Sequence, residues 1–204
     1  MRFFENLFKR VKNAEEIADD LANVVAKDAL IHLRNREFCR YISLQGLSND
    51  EKISIQLELE LSGITFVYLL LESLEAYYEN QTTKEAFRSI RNSVTAAFVR
   101  YVKHGVHDSK MHEMATQLVA RRCEECRAGL RQHLNEFKPG DLKRNYWSGI
   151  CAENLLNHLV DYGSSADKEI FEHLAIWNVR LGNEIQKAIL KRAKINVERG
   201  WKLF

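Results

Sequence analysis

The stretch from Asp50 to Asn80, DEKISIQLELELSGITFVYLLLESLEAYYEN, constrains this chain more than any other, because it contains the longest apolar run, Ile64 to Leu71. Coiled as a helix, it carries two apolar rows. One is Ile53, Leu57, Leu61, Ile64, Tyr68 and Leu71. The other is Ile55, Leu59, Phe66, Leu70 and Leu74. Rows on nearly opposite faces require neighbours on both sides, so this helix is expected at the centre of a bundle. Ser48 to Glu51 has the form of a capping box at its start. The competing reading comes from strict alternation: Ile53, Ile55, Leu57, Leu59 and Leu61 interleave with Ser, Gln and Glu. That is the period of a half-buried strand, and Ser62-Gly63 would then turn a hairpin over residues 52–71 in an α+β fold. Helix is preferred because Leu, Glu and Gln are strong helix formers. Gly63 inside that helix costs about 1 kcal/mol relative to Ala, which two-sided packing can offset.

Composition supports the all-α reading. One Pro and nine Gly among 204 residues leave too few turn signals for a sandwich or barrel. We therefore expect a single domain over 1–204, an antiparallel bundle of about five to seven helices around a central helix 50–79, several of them about 30 residues long. The first of these is expected to start at Asn13 to Glu16 and run to about Leu44, with a turn at Gln45 to Ser48. A second capping box at Thr82 to Glu85 opens a helix marked by Phe87, Ile90, Val94, Phe98 and Tyr101 and ending near Gly105. The next begins at Asp108 or Ser109 and follows Met111, Met114, Leu118, Cys126, Leu130 and Leu134. Lys138-Pro139-Gly140 stops it. Two further helical stretches lie at 141–162 and after Gly163-Ser164-Ser165, the last with the row Ile170, Leu174, Trp177, Leu181 and Ile185.

The net charge of +2 gives no global field for nucleic acid. The basic excess at 180–204, including Arg180, Lys187 and Lys191, reads first as a solvated helix end and second as a surface for phosphate or an acidic partner. Residues 2–12 form a short amphipathic piece expected to dock on the bundle or a second subunit, with a peripheral-membrane role as the alternative. The tail at 200–204 ends in aromatics suited to a groove or partner. No transmembrane segment is expected, since the apolar run between Glu60 and Glu72 is short of the ~20 residues needed. Met1 to Glu5 lacks an apolar leader, so Cys39, Cys123, Cys126 and Cys151 are expected as free thiols in the cytoplasm.

The residues with chemical potential cluster around one turn. His104, His107, Asp108 and His112 are close enough in sequence to hold a metal ion, or to form no more than a polar turn with Asp108 and His112 paired. Cys123 and Cys126 complete a zinc-like spacing on paper. On a rod, however, Cys123 stands roughly 24 Å from the histidines, and one zinc needs all its ligands within about 2.3 Å. The two thiols beside Arg121, Arg122 and Arg127 are expected as one buried and one half-exposed Cys rather than a reactive pair. No His has an acid three residues before it, which argues against a di-iron bundle, and Thr116 breaks an H-E-x-x-H motif.

His107-Asp108 resembles the dipeptide that names the HD-type phosphohydrolases, all-helical enzymes that bind metal through an upstream His, the His-Asp pair and a later Asp. By chain order His32 and Asp161 would take the outer roles, although the apolar run before and the Gly after the pair are missing. Arg127 with His133, or Arg100 with His107, resembles the Arg-x4-6-His pattern of helical HEPN-type ribonucleases, here without the polar residue directly after the Arg. Those resemblances imply a metal-dependent hydrolase or a ribonuclease as the alternative function. The leading expectation is a non-catalytic helical binding protein without a cofactor, working through a protein partner or as a homodimer. A ligand pocket between helices would be lined by Tyr68, Phe98, Trp147 or Trp177, which read more simply as core.

Overall fold

The computed structural model describes residues 13–102, 109–133, 146–159 and 167–192, with the side chains of 133, 146, 167 and 186–192 left aside. Seven α-helices and no strand occur among them: α1 (Ala14–Leu33), α2 (Arg36–Tyr41), α3 (Asn49–Tyr77), α4 (Gln81–Val102), α5 (Ser109–His133), α6 (Tyr146–Leu159) and α7 (Asp167–Arg192). The hairpin over 52–71 is absent, and that whole stretch lies within α3. The chain is an all-α bundle. The segments 1–12 and 200–204 lie outside the described residues.

α3 is the hub. It packs against α1, α4, α5, α6 and α7. From Leu59 to Val67 every residue is buried, so the middle of the helix is enclosed on all sides. Gly63 marks its closest approach to α1: a Cβ there would lie 2.6 Å from Val25 Cγ1 and 3.5 Å from Leu181 Cδ2. Glycine is needed at 63 because Val25 already fills that space. Glu60, inside the buried run, accepts a 2.9 Å hydrogen bond from Gln56 Nε2, and burial pushes its carboxyl up. The first expected apolar row fails at its start, where Ile53 and Leu57 are 56% and 44% exposed. That face of α3 has no neighbour there among the described residues, while the Ile55–Leu59 row is covered.

Helix starts follow the local chemistry. Asn13 accepts from Glu16 N at 2.8 Å while Glu16 returns a bond to Asn13 N at 3.0 Å. Ser48 and Glu51 form the same reciprocal box at the head of α3. α4 is capped by Asn80, whose Oδ1 takes Thr83 N at 3.0 Å, and not by Thr82 as expected. Only α3, at 29 residues, approaches the expected length; α1, α4, α5 and α7 have 20, 22, 25 and 26.

The largest departure lies at residues 34–47. A helix continuous to Leu44 is not formed, because Asn35 intervenes. Its side chain accepts from Glu37 N at 2.9 Å and Phe38 N at 3.1 Å, ending α1 and starting α2 in one turn. The new direction drops Phe38 onto His32, with ring centroids 4.3 Å apart, in a stack that also includes His173 and Trp177 of α7. Ser43 then adopts a left-handed conformation (φ 51°), and a 3-10 turn, Leu44–Gly46, leads to Ser48.

Candidate functional site

Among the described residues, those singled out by sequence do not assemble into one centre. His104, His107, Asp108 and Asp161 lie outside the described residues, as does the side chain of His133. His112 is half-buried on the first turn of α5. It is eleven positions before Cys123, about 16 Å along the helix. Among the described residues no three His, Cys, Asp or Glu side chains converge in a way that would hold a metal ion. His32, the upstream histidine of the HD pattern, is buried in the aromatic stack. Arg100 donates to Asp19 Oδ1 at 2.7 Å, and Arg127 is held by Glu72 at 2.6 Å and by Glu124. Both guanidiniums are thus engaged by carboxylates.

The thiols depart from expectation too. Cys123 and Cys126 are both buried, because the covered face of α5 runs through Ala115, Val119, Cys123 and Cys126 while Met114 and Leu118 point outward. Cys126 Sγ lies 3.8 Å from Cys151 Sγ of α6. Burial pushes the Cys123 thiol up to about 12 despite Arg127, so the neighbouring arginines do not activate it. The contact to Cys126, with burial, drives the Cys151 thiol up as well. Of the aromatics considered for a pocket, Trp177 and Phe98 are core, Tyr68 lies under the Arg91 guanidinium, and Trp147 donates to Ser73 Oγ at 2.9 Å.

A polar cluster that the sequence does not announce joins α3, α5 and α6. Nearly buried Arg122 donates to Glu58 at 2.8 Å and to Glu125 at 3.2 Å. Glu125 also accepts from Arg121 at 3.0 Å and Asn154 at 3.2 Å, and lies 3.1 Å from His158 Nε2. Burial alone would raise Glu125, but the Asn154 amide and Arg122 together hold its carboxyl below the usual range. Burial, then Arg122, lowers His158 against the pull of Glu58 and Glu125. A carboxylate beside an imidazole has the parts for proton transfer. Here the carboxylate is already engaged by two arginines and an amide, and the cluster acts as a clamp between helices.

The opposite condition holds at the α1–α2 break. Arg34, Arg36, Arg40 and Lys52 converge on a recess of about 720 Å³ at the junction of α1, α2, the 3-10 turn and α3. Ser43 and Gln45 add neutral polar groups to its wall, and among the described residues no carboxylate lines it. Among the described residues none of the four cations lies in an ion pair, whereas Arg88, Arg91, Arg100, Arg121, Arg122, Arg127 and Arg180 each meet a carboxylate. The Arg40 guanidinium sits 5.3 Å over the Tyr41 ring. Arg180, read in the sequence as part of a basic end, instead meets Asp28 at 3.2 Å. Apolar spacing alone does not reveal the break, because the cap at Asn35 is joined there by the tertiary contact of Phe38 with His32. The available signal was Asn35 amid Arg34, Arg36 and Arg40, an N-cap residue within a run of helix formers.

Comparison of the chain with protein-family models, with curated proteins and with solved structures finds no match.

Proposed function

We propose that this chain is a non-catalytic α-helical binding protein of a reducing compartment such as the cytoplasm, and that it holds an anionic ligand in the recess between α1, α2 and α3. One observation carries the reading: Arg34, Arg36, Arg40 and Lys52 face a concavity that no carboxylate among the described residues lines. Clustered like charges repel, and a fold that leaves them unpaired gains most from an anion that binds among them. The clamp around Arg122 favours binding over catalysis, because its charged groups are committed to one another. The competing hydrolase or ribonuclease reading rests on His107 and Asp108, or on Arg127 with His133. Metal analysis of purified protein with activity screens on nucleotides and RNA would reverse the preference if activity appeared and vanished in His107→Ala.

The test is thermal melting at fixed ionic strength, with chloride replaced by sulfate, citrate or phosphate. Multivalent anions are expected to raise the melting temperature by mass action. Arg36→Gln combined with Arg40→Gln should abolish that rise. Equal melting in every salt would overturn the reading.

A second reading, self-association, has its own observation. Leu57 is next to Glu58, and Leu118 is one turn before Arg122, so the 2.8 Å Arg122–Glu58 bond draws these two positions to one end of the α3–α5 seam. Ile53, Leu57, Met114 and Leu118 are all exposed there, a row too apolar to be left to solvent along two helices. The expected occupant is a second copy of the chain in a two-fold dimer. Light scattering at micromolar concentration should give twice the chain mass and revert to a monomer in Leu57→Glu/Leu118→Glu; a monomeric wild type removes the dimer.

A further inference from the structure

We infer that the recess takes a small molecule bearing two or more phosphoryl groups, such as a di- or triphosphate or a bisphosphate. The inference rests on the reading of the recess as an anion site and specifies the ligand. Charge comes first. Three guanidiniums and one ammonium meet there, with no carboxylate in the lining among the described residues. One phosphate monoester carries about −1.5 to −2 at neutral pH and leaves half of that charge uncompensated. A carboxylate leaves more. Two or three phosphoryl groups match it.

Geometry points the same way. A guanidinium offers a planar fork that takes two phosphate oxygens at once, and arginine predominates where phosphate is recognised. The three forks stand on different parts of the break: Arg34 at the end of α1, Arg36 and Arg40 on α2. Lys52 approaches from α3 as a point charge. Cations spread in this way suit a branched or extended polyanion better than a compact one. The volume of about 720 Å³ lies within the roughly 300–1,000 Å³ of small-molecule sites and far exceeds one phosphate ion. Leu44 and Cys39 in the wall leave an apolar surface for the organic part of the ligand.

The site is also held ready. Phe38 is fully buried and anchors α2, Asn35 caps it, and Tyr41 lies beneath Arg40. The backbone of the recess is thus set before a ligand arrives, and the exposed arginine side chains are what binding orders. A nucleic-acid backbone fits less well, because binding along a strand needs a basic stripe. Glu37 interrupts the cations between Arg36 and Arg40 on α2, and Asp50 and Glu51 precede Lys52 on α3, with Glu51 bound into the Ser48 cap.

Gly46 provides a test that leaves the cations in place. It lies in the recess wall, a Cβ there meets nothing within 4 Å, and its backbone does not need glycine. Gly46→Glu therefore puts a carboxylate into the recess without a clash. The experiment is isothermal titration of the full chain, at constant ionic strength, with inorganic phosphate, pyrophosphate, tripolyphosphate and a short single-stranded oligonucleotide. Tripolyphosphate is expected to bind at least about tenfold tighter than phosphate, with pyrophosphate between them. Gly46→Glu should weaken tripolyphosphate by more than about tenfold, with circular dichroism unchanged. Should that variant fail to fold, Arg40→Gln and Lys52→Gln carry the same expectation. Equal affinity for phosphate and tripolyphosphate would overturn the polyphosphoryl assignment and leave the anion site standing. Tighter binding of the oligonucleotide would reassign the ligand to nucleic acid. No binding of any anion, or binding untouched by all three variants, would overturn the anion site itself.

Discussion

Gly63 and His32 show how single positions fix this bundle. At Gly63 the missing side chain is the point of contact, since Val25 Cγ1 would stand 2.6 Å from an added Cβ. Val25 is β-branched and cannot swing aside freely. Gly63→Ala is expected to cost about 1–3 kcal/mol in urea unfolding even though Ala is the better helix former. Val25→Ala in the same chain should recover part of that loss, giving a double-mutant coupling of opposite sign to the single effects. Strictly additive losses would show that the two helices do not meet there. The sequence displayed Gly63 as a liability; only the α1–α3 approach shows it as a requirement. At His32, burial, then His173 and Arg180, lowers the imidazole to about 3. The charged groups that act on it are His173 and Arg180 of α7, and the Phe38 and Trp177 rings pack against it. The folded chain refuses a proton that the unfolded chain accepts near pH 6.5, so stability is full above that pH and falls as pH drops toward 3. The loss should reach roughly 4 kcal/mol by the lower limit. His158 and His173, also lowered, add in the same direction. Denaturant titrations between pH 7.5 and 5 should show this fall, and His32→Phe should make it shallower; an unchanged slope would place the proton-linked loss elsewhere.

Among the elements, α2 separates what was legible from what was not. The starts of α1 and α3 follow from apolar spacing and capping residues, and α4 and α7 from apolar spacing, because each buries a face at helical period. The α1–α2 break does not, because a single Asn35 cap among residues of mixed helix propensity carries little signal until Phe38 is seen to land on His32. The phase of α5 was misjudged for a related reason. Met114 and Leu118 are larger and more apolar than Ala115 and Val119, yet the smaller residues face the core and the larger ones do not. The candidate recess was therefore invisible in sequence: its cations come together only because Asn35 turns the chain. Asn35→Ala removes the acceptor for two amide groups and should cost about 1 kcal/mol. It should also increase hydrogen exchange across 36–46 before the rest of the chain opens. Uniform exchange across α1 and α2 in that variant would show that the cap does not define the break.

For the molecule as a whole, scarcity of Pro and Gly and the two-sided α3 made the all-α bundle readable. α3 is long and apolar enough to cross a membrane by length and composition alone, with 67% of its most apolar window buried in the protein. Its burial by five neighbouring helices assigns it to the core. Charge is divided between two regions with opposite character. The seam through Glu58, Arg122, Glu125 and His158 spends its charges on joining helices, while the recess keeps Arg34, Arg36, Arg40 and Lys52 unspent. Thermal melting with and without tripolyphosphate, on Arg36→Gln/Arg40→Gln beside Arg122→Gln, separates those roles. The recess variant should melt like the wild type without ligand and lose the ligand-dependent rise. Arg122→Gln should melt lower and keep that rise. The reverse pattern, with the seam variant losing the response to tripolyphosphate and the recess variant keeping it, would contradict the account.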